Sequence, residues 1–191
     1  MENEKYDKTD FSGRKLSSED LSGSEFISCN FTETNMTDAK LNASTFTRCD
    51  FTGAKVTGAN LFGSEFVECK MIGLKLENIK FLSATFKSCL LDYADFKLQD
   101  LEGVEFTDCS MKEAELSMTK LGKAKFINCD LNGARFREVK FKDTDLRGST
   151  LSGLNIKEDN LRGIILTEEQ FLGLAGEVGI QIIKPESADR L

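Results

Sequence analysis

The sequence predicts an all-β solenoid of about eight stacked four-sided coils, closed at its C-terminal end by a short helix and strand. Three observations predict it. An apolar residue stands at every fifth position from Phe11 to Leu166, without insertion or deletion. The six cysteines, Cys29, Cys49, Cys69, Cys89, Cys109 and Cys129, recur at every twentieth position. After Leu166 the repeat gives way to a segment with helical spacing.

A period of five fits neither a helix at 3.6 nor a strand at 2.0. It fits a chain that turns a corner after every five residues. The central apolar residue of each five, and the small residue two places before it (Ser24, Cys29, Thr34, Ala39), then point inward. The other three face water. Phe26, Phe46, Phe66, Phe86, Phe106 and Phe126 share the period of the cysteines. Four fives make twenty, so each coil has four sides and equivalent residues stack in ladders about 4.8 Å apart. Residues 1–8 are then a lead-in, 9–168 the repeat, 169–183 a terminal module and 184–191 a polar tail. The repeat should form a rod on the order of 38 Å long at strand spacing.

Corners need special backbone. A type II turn places its second central residue at positive φ, which favours Gly, Asn or Asp. Gly stands there at Gly13, Gly53, Gly63 and Gly103, and Asp or Asn at Asp38, Asn78 and Asp108. Tyr93, Leu98 and Met118 suit it poorly, which leads us to expect a second turn type there.

In the terminal module, Thr167 and Gln170 have the spacing of a capping box. Phe171, Leu172, Leu174 and Ala175 follow at helical spacing, and Gly176 is placed to end the helix, with Gly179 as the alternative. Residues 180–183 then read as a strand. A solenoid end exposes core side chains and needs a cover.

Composition excludes several function classes. The chain has no His, so the usual general base and the commonest metal ligand are missing. The cysteine slots point inward among Phe and Leu, and a straight ladder is not the tetrahedral set zinc takes. We expect packing thiols, no catalytic residue, no metal and no cofactor. The glycines recur at corners and form no phosphate loop. No apolar run is long enough to span a membrane, and the polar start Met1–Lys5 does not resemble a secretion signal, so a cytoplasmic location is expected.

The net charge of −7 disfavours direct binding to nucleic acid and permits a partner with a basic surface. Assigned to the four sides, the charge is uneven. The side of Phe31, Phe51 and Leu91 sums to −4, and the side of Phe26, Phe46 and Phe66 to −3. The other two come to +2 and +1. The candidate partner-binding flank is therefore Glu25, Glu33, Asp50, Glu65, Glu68, Asp92, Glu105, Asp108, Glu113 and Asp130. Phe62, Ile72, Leu82, Leu90, Tyr93 and Leu98 occupy outward slots near mid-rod, marking either a partner site or coils that turn differently.

Units such as Ala59-Asn60-Leu61-Phe62-Gly63 and Cys49-Asp50-Phe51-Thr52-Gly53 resemble the A(D/N)LXX unit of the pentapeptide-repeat family. That resemblance implies a right-handed quadrilateral β-helix. The stretch Leu161–Gln170, with Leu174 and residues 178–180, is similar to the C-terminal module of the Qnr and MfpA type of quinolone-resistance proteins. It implies a homodimer joined end to end through Phe171, Leu172, Leu174, Val178, Ile180 and Ile182. It also implies a type II DNA topoisomerase, DNA gyrase or topoisomerase IV, as partner of a DNA-like acidic flank. The unbroken register leaves no room for the projecting loops of many Qnr proteins. A scaffold module with another protein partner is the alternative.

Overall fold

The computed structural model describes residues 3–151 and 162–177. Among the described residues nine short parallel strands run in chain order along the first side of a β-solenoid of about eight turns. They are β1 Lys5–Asp7, β2 Glu25–Ile27, β3 Thr45–Thr47, β4 Glu65–Val67, β5 Thr85–Lys87, β6 Glu105–Thr107, β7 Lys125–Ile127, β8 Thr144–Asp145 and β9 Ile164–Ile165. Each residue pairs with its equivalent one full coil later: Tyr6 with Phe26, Phe26 with Phe46 and Phe46 with Phe66. The lead-in thus already supplies a strand, with Tyr6 standing in the phenylalanine ladder. The other three sides are joined by single bridges such as Asp10–Asn30, Lys15–Asn35 and Asp20–Lys40.

From Phe11 to Leu151 the central residue of each five is buried, and the aromatic ones stack. Ring centroids are 4.8 Å apart for Phe26–Phe46 and 4.9 Å for Phe86–Phe106, with planes within 11° of parallel. A second ladder, Phe11–Phe31–Phe51, stacks at 5.0 Å and meets the first edge-on. Burying each ring contributes about 1.5–3 kcal/mol, and each aromatic contact about 0.5–1.5 kcal/mol more. At the N-terminal end Tyr6 stacks on Phe26, and burial together with Glu4 pushes its hydroxyl up to about 12.

The small inward slot has a second duty. Its side chain donates to the carbonyl of a large residue on the previous coil, tying the two coils together. Thr34 Oγ1 reaches Phe11 O at 2.8 Å, and Ser44 Oγ reaches Leu21 O at 2.8 Å. The cysteines occupy this slot and make the same bond: Cys69 Sγ to Phe46 O at 3.3 Å, Cys89 Sγ to Phe66 O at 3.4 Å. All six are buried and unoxidised. Among the described residues no buried side-chain nitrogen or oxygen lacks a partner.

The corners differ from expectation. Tyr93, Leu98 and Met118 do not take another turn type: their φ values are 60°, 65° and 59°. Each closes the ordinary i to i+3 bond, as in Ala94 N to Leu91 O at 3.1 Å and Gln99 N to Phe96 O at 3.0 Å. Inward packing of Leu91, Phe96 and Leu116 on both neighbouring coils overrides the left-handed penalty of roughly 1–2 kcal/mol. The corner that does differ follows β1 to β7, at Lys8, Ser28, Arg48, Glu68, Ser88, Asp108 and Asn128. There φ is also positive, but the chain stays extended through the third strand residue. From Ser28 onward a cysteine follows this corner. Cys89 N–H donates to Cys109 Sγ at 3.4 Å, and Cys129 N–H to Ser149 Oγ at 2.8 Å. The cysteine ladder therefore keeps to one side because only that side has this corner. It ends where Gly148 and Ser149 restore the ordinary turn, with Ser149 N to Leu146 O at 3.1 Å.

Beyond β9 comes helix α1, Glu168–Glu177. The capping box forms: Gln170 N–H donates to Thr167 Oγ1 at 3.2 Å and Thr167 N–H to Gln170 Oε1 at 2.9 Å. Two exposed acids, Glu168 and Glu169, sit in its first turn, where the helix dipole favours negative charge. The helix does not stop at Gly176 as expected but passes through it to Glu177. One glycine in a helix costs only about 1 kcal/mol, and the buried Leu174 and Ala175 hold this turn against the solenoid end. The strand expected at 180–183 lies outside the described residues.

Candidate partner-binding surface

The ten acids of the expected flank fall on the first and second sides. On the first, Glu25, Glu65 and Glu105 stand in one ladder, with Thr45 and Thr85 on the rungs between. That alternation keeps like charges off adjacent rungs, where they would destabilise the pairing. Glu68 and Asp108 occupy the corner, and Glu33, Asp50, Asp92, Glu113 and Asp130 belong to the second side.

Six of the ten are answered by a cation of the rod itself. Lys5 pairs with Glu25 at 2.9 Å, Lys70 with Asp50 at 3.2 Å, Arg48 with Glu68 at 3.9 Å and Lys112 with Asp130 at 3.3 Å. Arg135 stands 3.7 Å from Glu113, and Lys125 contacts Glu105. Exposed pairs of this kind contribute about 0–1 kcal/mol each, but they neutralise the flank locally. Glu65 has no such ion pair among the described residues, and neither does Glu33.

Several acids also serve the backbone. The residue before each central position recurrently accepts from the N–H two places on: Ser12 N–H to Asp10, Thr52 N–H to Asp50 and Asn132 N–H to Asp130. This local bond is why Asp and Asn recur in that slot. Burial alone would raise Asp50, but the hydroxyl and N–H of Thr52, with Lys70, hold its carboxyl below the usual range. Asp92 accepts from Ser110 Oγ at 2.5 Å and Lys112 N–H at 2.9 Å, and Asp108 from Asn128 Nδ2 at 3.3 Å. The surface can therefore present a ladder of fixed carboxylates, partly screened by the rod's own cations.

The outward apolar residues near mid-rod are exposed as expected: Phe62, Ile72, Leu82, Leu90, Tyr93 and Leu98. Their coils turn like the rest, so a local change of winding does not explain them. Met118 joins Leu98 one coil on in the same corner ladder. The sequence carried that signal, since the two stand in the same slot of successive coils. In helix α1 Leu174 is buried against the solenoid core, whereas Phe171 and Leu172 are exposed. Val178, Ile180 and Ile182 lie outside the described residues.

Among the described residues no group of His, Cys, Asp and Glu is placed to hold a metal ion. No described helix is long and apolar enough to cross a membrane. The surface grooves are shallow; one of about 330 Å³ is lined by Thr37, Thr57, Lys55, Lys75 and Glu77.

A rod of five-residue units with an inward apolar ladder defines a class of protein, and the sequence matches it directly. The family described as pentapeptide repeat region matches over residues 1–70 and 59–136, and the chain belongs to that family. It is Qnr-like. A solved structure of trypsin-treated QnrB1, titled a plasmid-mediated fluoroquinolone resistance protein, is 28% identical with a TM-score of 0.65, covering 96% of each chain. A second trypsin-treated form is 25% identical with a TM-score of 0.61, over 96% of this chain and 98% of that one. Full-length QnrB1 has the same fold, with a TM-score of 0.63 at 24% identity, over 94% of this chain and 99% of that one. Among curated proteins none matches the sequence.

Proposed function

We propose that the protein binds a type II DNA topoisomerase, DNA gyrase or topoisomerase IV, through its acidic first and second sides. It partly imitates duplex DNA and modulates the enzyme or protects it from quinolones. The observation that carries this reading is the end-to-end likeness to QnrB1, joined to a rod with carboxylates in ladders along two adjacent sides. The protein acts by shape and surface and performs no catalysis. Because six of the ten acids are paired within the rod, shape carries much of the recognition, and the exposed Glu33 and Glu65 are among the acids most available to a basic partner. The exposed Phe171 and Leu172, with Val178, Ile180 and Ile182 of the terminal module, join two copies end to end in the cytoplasm.

The test is gyrase supercoiling with and without ciprofloxacin over a wide titration of the protein. Inhibition of the free enzyme or rescue of the poisoned one is expected, and Glu65→Lys with Glu105→Lys should weaken either by roughly tenfold or more, the order of a lost charged contact. Absence of both effects rejects the reading. A second reading, a scaffold module for another protein, is favoured by the exposed Phe62, Leu82, Tyr93 and Leu98, which no ladder of the rod requires. Capture of a partner that Leu98→Asn releases and Glu65→Lys does not would select it.

A further inference from the structure

The third and fourth sides, opposite the acidic flank, hold the rod's densest run of cations. Residues 119–123 and 134–143 carry Lys120, Lys123, Arg135, Arg137, Lys140 and Lys142 against two acids, Glu138 and Asp143. All six cations are exposed, and both acids sit at corners. Across the two sides from Arg135 to Lys142 every outward slot between corners is basic. Arg162 stands in the same slot as Lys142 one coil further on.

Among the described residues these charges are mostly unanswered. Lys120 pairs with Asp100 and Arg135 with Glu113 and Glu115. Lys123, Arg137, Lys140, Lys142 and Arg162 have no ion pair among the described residues. Lys120 and Lys140 are bridged directly across adjacent coils, like charge on like, and so work against the pairing. The acid rung Asp95–Glu115 is relieved by Arg135, but among the described residues no acid relieves Lys140. Elsewhere the rod answers charge with opposite charge on the adjacent coil, as in Lys40–Asp20 and Lys125–Glu105.

We propose that this patch, Lys123, Arg137, Lys140, Lys142 and Arg162 with Lys120 beside them, binds the phosphate backbone of duplex DNA. The backbone positions of the cations are set by the coil, whose stacked aromatic rungs elsewhere along the rod are 4.8–5.0 Å apart, so their spacing is fixed before binding. Among the described residues no exposed large apolar side chain belongs to residues 119–123 or 134–143, and Met118 and Ile165 stand only at their margins. A protein partner would ordinarily need an apolar centre, whereas DNA interfaces are polar and positive. No exposed aromatic ring lies among these residues to stack single-stranded bases. The contact is therefore with duplex backbone and without sequence preference. Net charge weighs against nucleic acid over the whole rod, but the net negative charge belongs to the first and second sides and is screened over about 10 Å in salt.

The test is fluorescence anisotropy of a labelled duplex of arbitrary sequence, about 20 base pairs long, titrated with the full chain and no topoisomerase. It succeeds or fails independently of the topoisomerase reading. Five released counterions predict a log–log salt slope of about −4.5, or roughly 500-fold weaker binding between 50 and 200 mM salt. Lys140→Gln with Lys142→Gln should reduce that slope by about 2, and Lys140→Glu with Lys142→Glu should abolish binding at low salt. Glu65→Lys should not weaken it. No binding at 50 mM salt, a slope unmoved by the Gln pair, or equal competition by poly-glutamate each overturns the proposal, the last by assigning the patch to acidic protein.

Discussion

Gln170 Nε2 donates to the carbonyl of Leu146 at 2.7 Å, and the same nitrogen reaches Ser149 O at 2.8 Å. The side chain that completes the capping box of α1 also ties the helix to the coil beneath it, giving the Leu146 carbonyl a second donor beside Ser149 N–H. Helix cap and solenoid cap are thus one residue.

Gln170→Leu keeps volume and helix propensity but removes both bonds and half of the capping box. The cost of the three lost bonds should be about 1.5–4.5 kcal/mol, at roughly 0.5–1.5 kcal/mol per bond. Coils contact only their neighbours, so the damage should stay local. Hydrogen exchange should accelerate at 144–151 and stay unchanged near β2–β4; uniform acceleration would show that the cap governs the whole rod.

The cysteines should behave as structural donors. Burial pushes the Cys29 thiol up, so it carries little thiolate near neutral pH, and all six sulfurs are shielded from a reagent in solution by their burial. A thiol reagent should label the native protein slowly, with Cys29, nearest the N-terminal end, first. Cys89→Ser should preserve the fold within about 1 kcal/mol, because Ser149 already fills the same slot and donates to Phe126 O at 2.7 Å. Rapid native labelling of an interior thiol would contradict the packing role.

Acid should loosen the ladders. The Arg147 side chain holds the nearly buried Asp145 carboxyl below the usual range, and Ser22 with Lys40 lowers Asp20 to about 2. A folded-state pKa below the unfolded value adds stability that is full above the unfolded value, about 3.9, and is lost as pH falls through the folded one. Tm should therefore be flat from pH 7 to about 5 and fall below about 4. Asp145→Asn should lower Tm at pH 7 and flatten the acid limb. A variant that keeps the wild-type acid limb would remove Asp145 from the account.

Leu98 is exposed and left-handed at φ 65°, so both its side chain and its backbone are unfavourable there. Asn tolerates that conformation better, and Leu98→Asn should stabilise the rod by about 0.5–1 kcal/mol in denaturant midpoint. A destabilised variant would mean that Leu98 packs along its corner ladder with Met118 more than it strains.

Much of this was legible because the repeat is a one-dimensional code. Inward packing at every fifth position fixes the coil, and Cys29 to Cys129 fix its circumference. The four sides and their charge follow by counting. The capping box at Thr167 and Gln170 was legible for the same reason, since it is local.

What counting could not give is what side chains do between coils. That Lys70 answers Asp50, that Asp50 also accepts from Thr52, and that the cysteine sulfurs donate to carbonyls of the previous coil are consequences of stacking. So is the left-handed backbone of Tyr93 and Leu98, where packing overrides local preference. The sequence by itself determined the solenoid, its register and which sides carry acid. Only the tertiary structure decided which charges remain free to meet a partner, because each is set by a neighbour on the adjoining coil.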